Sequence, residues 1–395
     1  MHRTIKKRIE NASVAVVMAC IACSRAERSD PPPAPSANVC LATGGAIATD
    51  TTFSLACSPY DLPGGIDVIN GATLTIEAGV EVRFHAGDWL EIGATGRPGR
   101  LVARGTNERP VVLTSADPVQ ADGRRWLGLW FHAGTLEGSV LAHAIVEKGG
   151  GTNAFIKPPL EQGCLTFTGV RPDVLVLTDV RLRECDHGGL RLATSAPRLE
   201  HVAFEQTKLA AVADPASFGS LPAALGGDAL LEVHVQSGAV VRDARWFPQR
   251  APVLVDGDVS VAGPSAPSLT LMPGLSLRFA KGARLRVGYE QQGALLAVGT
   301  ASERIELGAE DKASGWSGVE LGPFAAPTSA FEFIDVHDAT SAAIQFAAAG
   351  AGVRIRHAIF TDNALDIALP CGPAPTLADN RSSGPGKVKR RAPCP

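Results

Sequence analysis

The string Glu184-Cys-Asp-His-Gly-Gly189 is the most reactive-looking stretch in this sequence of 395 residues. His187 beside Asp186 has the makings of a general base oriented by a carboxylate. Neighbours on a strand point to opposite faces, so the pair needs a turn to meet, and Gly188 and Gly189 offer one. A solvated turn is still the preferred reading. Asp338 and Asp362, 24 residues apart, are the next candidates. On adjacent coils of a solenoid they would repel unless something positive sat between them, and a shared Ca²⁺ would serve. Calcium takes about 6–8 oxygens, however, and two carboxylates fall short. Two aspartates splayed into water are therefore preferred. His143, His201 and His357 each open an apolar strand and read as a periodic choice at a corner. Their stacked neighbours would be Asp179 over His201 and Phe333 over His357, so no histidine ladder is expected. Glu184 over Gln206 and Asp186 over Lys208 read as an ordinary solvated face. A zinc site needs three or four converging ligands, and none is visible. There is no nucleotide-type phosphate loop, no serine nucleophile elbow and no Cys-x-x-Cys pair beyond the N-terminal segment. No catalytic, cofactor-binding or metal-ligating residue is assigned, and no cofactor is expected.

The cysteines say more about place than about reaction. Arg3, Lys6, Lys7 and Arg8 precede an apolar run from Ala12 to Ala22, and Cys23 follows. A charged start, a short apolar run and a small residue before the cut describe a secretory signal. The run is shorter than the roughly 20 residues of a spanning helix. Cleavage before Cys23, with Cys23 set aside as the new N-terminal residue, leaves six cysteines in sequential pairs, Cys40 with Cys57, Cys164 with Cys185, and Cys371 with Cys394. Cleavage before Cys20 would leave an odd thiol, so Cys23 is preferred. Exported chains keep disulfides. Cys164 and Cys185 are 21 residues apart, near one solenoid coil, and stacked positions fall inside the roughly 4.4–6.8 Å Cα window of a disulfide. Residues 24–38 include Pro31-Pro-Pro-Ala-Pro35 and read as an extended spacer.

The elements that must carry these residues follow from an internal repeat. Thr73-Leu-Thr-Ile-Glu-Ala-Gly-Val-Glu-Val-Arg-Phe84 matches Ser268-Leu-Thr-Leu-Met-Pro-Gly-Leu-Ser-Leu-Arg-Phe279 at an offset of 195. Gly45 to Phe53 matches Gly238 to Trp246 at 193, Leu101 matches Leu295 at 194, and Trp126-Leu-Gly128 matches Trp316-Ser-Gly318 at 190. His201 to Glu205 matches His357 to Thr361 at only 156, so the first copy holds extra residues between Gly149 and Leu190. The insertion Gly149–Gly163 is expected to stand beside the coils as a loop with its own role. Within each copy, apolar Leu74, Ile76, Val80, Val82 and Phe84 alternate with polar residues as in a half-buried strand. Strands recur every 22 to 24 residues, too short for a βαβ unit of about 30 or more. That period suits one coil of a parallel β-helix, stacked at about 4.8 Å.

The reading is all-β: a right-handed parallel β-helix of two related lobes. Residues 1–22 are the signal, 23–39 the spacer, 40–235 the first lobe and 236–395 the second lobe with its tail. Net charge is −3, falling to −6 once the signal is removed. Beyond the signal the only basic run is Lys387 to Arg391, so no nucleic-acid partner is expected.

Two resemblances extend this. Cys20-Ile-Ala-Cys23, and less closely Val17-Met-Ala-Cys20, resembles the lipobox of bacterial lipoproteins. That implies lipid on Cys23, with Cys20 as the alternative, and a chain tethered to the bacterial envelope, at the outer membrane or cell surface. Leu74-Thr-Ile76 with Gly79 and Phe84, their counterparts at Leu269, Gly274 and Phe279, and Trp126-x-Gly128 and Trp316-x-Gly318 resemble bacterial pectin-lyase-like β-helix proteins. The resemblance implies fold and leaves chemistry open. A binding or structural role, with a glycan or envelope protein as partner, is the preferred expectation. A polysaccharide lyase or hydrolase is the alternative. Trp89 and Trp130 have no tryptophan counterpart in the second copy and are the candidates to face a ligand.

Overall fold

The computed structural model describes residues 40–41, 44–117, 125–153, 160–227, 231–383 and 388–390. They belong to one contact unit, Asn38–Pro395. Cys20, Cys23, the spacer and Cys394 lie outside the described residues.

The chain is a parallel β-helix. Its strands form four long sheets of 14, 11, 7 and 6 strands. Each strand pairs in parallel with its counterpart on the next coil, 24 residues on for Asp67 and Glu91 and 25 for Leu165 and Leu190. Alternation sets which side chains enter the core. Leu90, Leu129, Leu165 and Leu190 form one buried stack, and Ile92, Phe131, Phe167 and Leu192 the next. Phe131 and Phe167 stack with centroids 5.7 Å apart. At about 25 cal/mol per Å² of apolar area removed from water, such ladders are the main stabilising term. Neither 3-10 turn, Leu55–Cys57 or Phe218–Ser220, exceeds three residues.

The histidine corners occur as expected. His143, Asp179, His201, Phe333 and His357 all have φ between 46° and 53°. Each bends the chain between two faces, a conformation in which Asp and His are over-represented. Asp179 lies between the two histidines of the flanking coils, 3.7 Å from His143 Nδ1 and 3.2 Å from His201 Nδ1. Phe333 stacks on His357 at 4.5 Å.

The repeat and the sheets are out of phase. Glu81–Phe84 lies in the 11-stranded sheet, whereas its repeat counterpart Ser276–Phe279 lies in the 14-stranded one. Ile66–Val68 and Trp89–Ile92 lie in the 14-stranded sheet, and their counterparts Val259–Val261 and Leu285–Val287 in the 7-stranded one. The second copy is thus turned by one face about the solenoid. The 14-stranded sheet crosses residue 235 without a break, through pairing of Glu232–Val235 with Val253–Val255.

Candidate functional site

The outward face of the 14-stranded sheet gathers the most reactive set of side chains. Strand Ile66–Val68 presents Asp67, strand Trp89–Ile92 presents Trp89 and Glu91, and strand Gly128–His132 presents Trp130 and His132. Burial of the alternate residues fixes this orientation. Register places Asp67 beside Glu91 and Glu91 beside Trp130. The two indole rings are parallel within 4°, with centroids 6.0 Å apart, and both are partly exposed. Trp89 lies flat over Gly65, where an added Cβ would come within 3.0 Å of the ring. His132 meets Trp130 edge-on.

Polar contacts hold the carboxylates in place. Trp89 Nε1 donates to Asp67 Oδ1 at 2.8 Å. His132 Nε2 lies 2.9 Å from Glu91 Oε1. Arg97 reaches Asp67 and Glu91, at 3.7 Å each. Asp67 and Glu91 are paired positions on adjacent coils, so their carboxyls are close neighbours. Burial pushes the Asp67 carboxyl up, the Trp89 bond opposes, and the Glu91 charge adds to the rise. Glu91 is held low, first by its bond to His132, against its own burial. The two carboxyls are thus pushed in opposite directions, Asp67 toward its neutral form and Glu91 toward its charged form. Opposed shifts of this kind separate an acid from a base. The Trp130 Nε1 is buried with no acceptor among the described residues.

Residues 45–153 match the family described as pectate-lyase like beta helix domain. The matched stretch contains every residue of this cluster. No curated protein and no solved structure matches the chain at a significant level.

The other residues singled out from sequence fall into this β-helix as follows. His187 Nδ1 bonds the Gly150 carbonyl at 2.8 Å, while Asp186 is 3.6 Å away and also near Arg125. The Gly150 carbonyl, and not Asp186, orients that imidazole. Asp338 and Asp362 do come together, with Lys312 between them. The adjacent His–Asp pair that does bond is His337 with Asp338, at 2.6 Å, because Asp338 sits at φ 58°. His337 Nε2 lies 3.2 Å from Glu306, which Arg278 holds at 2.6 Å. Gly308 makes room for this network, since a Cβ there would fall 2.0 Å from the His337 ring. Among the described residues no group of three or more His, Cys, Asp or Glu could hold a metal.

Cys164 and Cys185 form a disulfide with Cα atoms 5.6 Å apart. The two are diagonal, not stacked: the residue after Cys164 pairs with Leu190. Cys371 is also disulfide-bonded. The expected Cys40–Cys57 bridge is corrected, because Cys57 is a free thiol. Register sets Tyr60 opposite Cys40, and Cys57 lies three residues earlier, in the 3-10 turn. Residues 154–159 of the insertion lie outside the described residues. Its described strands, Thr152–Asn153 and Leu160–Glu161, pair antiparallel as a two-stranded sheet apart from the coil sheets. Its base packs on Trp126, whose ring approaches Gly149 so closely that a Cβ there would lie at 2.9 Å.

Proposed function

We propose that this protein is an exported, lipid-anchored β-helix that binds a neutral, hydroxyl-rich glycan of the cell envelope at the Trp89–Trp130 face. The observation that carries the reading is the parallel indole pair beside the Asp67–Glu91 pair on one exposed sheet face. Pyranose rings pack their C–H faces on indoles, and carboxylates accept from sugar hydroxyls. A flat rigid face presents both without ordering cost. The charge of Glu91 disfavours a polyanionic glycan. Anchoring at Cys23 is supported by the N-terminal motif alone.

Catalysis is the second reading, favoured by the opposed shifts of Asp67 and Glu91. They occupy directly paired positions on adjacent coils, a backbone spacing of about 4.8 Å, tighter than the roughly 5–5.5 Å between the carboxyls of a retaining glycosidase pair, and an inverting pair is wider still. Binding is therefore preferred.

Titration calorimetry of the full chain against neutral oligosaccharides tests this. Trp130→Ala should weaken binding at least about tenfold, near 1.4 kcal/mol. Saturable binding that ignores this substitution overturns the site. Product release from a polysaccharide, abolished by Glu91→Gln, would replace binding with turnover. Fatty-acid labelling that persists in Cys23→Ser would move the anchor to Cys20.

A further inference from the structure

We propose that the second copy of this sheet region has become a site for a zwitterionic ligand, an amino acid or short peptide, held between Arg286 and Asp258. The repeat places the site, and the registers agree. In the first copy Asp67 pairs with Glu91 and Glu91 with Trp130. In the second, Ser260 pairs with Arg286 and Arg286 with Glu320. The backbone equivalence is close. Gly93 and Gly288 both have positive φ, and a Cβ on either would strike the next coil's backbone, at 2.3 Å and 2.2 Å. The chemistry, however, is inverted: donors stand where the first copy presents acceptors.

Glu320 is buried and its oxygens are occupied. Arg284 Nη1 donates to Oε1 at 2.8 Å, and Arg286 Nε donates to Oε2 at 3.1 Å. Arg286 also lies over the Tyr289 ring, 5.4 Å from its centroid. This guanidinium is therefore pinned through Nε, and among the described residues its terminal nitrogens have no acceptor. A fixed fork of that kind recognises a carboxylate with little further ordering cost. It borders a cavity of about 470 Å³ whose other walls include Ala239, Ala262, Tyr289, Asp258 and Glu290. The volume is within the about 300–1,000 Å³ range of ligand pockets. A simple anion would face Asp258 and Glu290, and a simple cation would face Arg286. A zwitterion satisfies both, with its apolar body against Tyr289 and the alanines.

The test is calorimetric titration of the full chain with glycyl-leucine, N-acetyl-glycyl-leucine, glycyl-leucinamide and free leucine. Glycyl-leucine should bind saturably, and each blocking group should weaken binding at least tenfold. Comparable binding of free leucine identifies an amino-acid site; its failure identifies a peptide site. In Arg286→Gln the free and amidated peptides should bind alike. In Asp258→Asn the free and acetylated ones should. No saturable binding, or blocked peptides binding wild type as well as the free one, overturns the proposal whether or not a variant folds. An unchanged amide penalty in folded Arg286→Gln overturns the location. None of these outcomes depends on glycan binding, which is read separately through Trp130.

Discussion

Lys312 Nζ lies 2.6 Å from Oδ2 of Asp362 and 3.8 Å from Oδ1 of Asp338, two carboxylates on successive coils. The positive charge that such a pair requires is thus supplied by the chain. Asp362 and Asp338 in turn raise the lysine pKa, the Asp362 hydrogen bond most of all. Millimolar calcium should leave the melting temperature of the wild type unchanged. Lys312→Met leaves the carboxylates facing each other, so calcium should then stabilise the variant. Calorimetric scans with calcium and with chelator compare the two. An equal calcium effect on both would mean that the ion acts elsewhere.

Gly93→Ala and Gly288→Ala should each destabilise the fold by about 3 kcal/mol or more. Both combine a left-handed φ with a Cβ that meets backbone, which cannot move aside as a flexible side chain can. Gly282, also at positive φ, has open space around its Cβ position. Gly282→Ala should cost only about 1 kcal/mol of backbone strain. Urea unfolding of the three variants measures the difference. Equal losses would mean that strain, not the coil contact, dominates.

The β-helix was legible because apolar alternation and a 22–24-residue period survive in Leu74, Ile76, Val82 and their counterparts. The Cys164–Cys185 bridge was legible for a related reason, a separation close to one coil. Asp67, Glu91 and His132 were not legible. They meet only through register, and the step from Glu91 to its partner Trp130 is 39 residues long. Cys57 misled because pair order was read without register, which sets Tyr60 opposite Cys40. The one-face turn between copies was equally hidden. Sequence offsets report that two strands are alike, not which sheet each joins.

His234 joins the two copies at the strand pair Glu232–Val235 and Val253–Val255. Its Nδ1 lies 2.9 Å from Asp256. That bond raises the imidazole pKa, burial opposes it, and the charges of Asp256, Glu232 and Glu310 add to the rise. A histidine whose folded pKa is raised stabilises fully below its unfolded value, near 6.5, and the contribution fades as pH rises through the folded value. Asp256→Asn should therefore lower the melting temperature most near pH 6 and progressively less toward pH 8. A deficit that is flat across this range would mean that the bond is worth the same to neutral imidazole.

Asp67 and Glu91 should respond oppositely to loss of charge. Asp67 has its carboxyl pushed up, so its ionised form is unwelcome in the fold and stability drains away as pH rises through its unfolded value, near 3.9. Asp67→Asn keeps the Trp89 acceptor and a donor toward Glu91, and removes that penalty. It should leave stability at neutral pH unchanged or slightly higher. Glu91 is held low by His132, so its contribution is present above about 4.3 and is lost as pH falls through the folded value. Glu91→Gln leaves His132 and Arg97 facing a neutral amide and should cost about 1–3 kcal/mol at neutral pH. The loss should shrink in acid, where the wild-type carboxylate is itself protonated. Urea midpoints at neutral and acidic pH separate the two. If Asp67→Asn proved the more damaging at neutral pH, the opposed directions of the two shifts would be overturned.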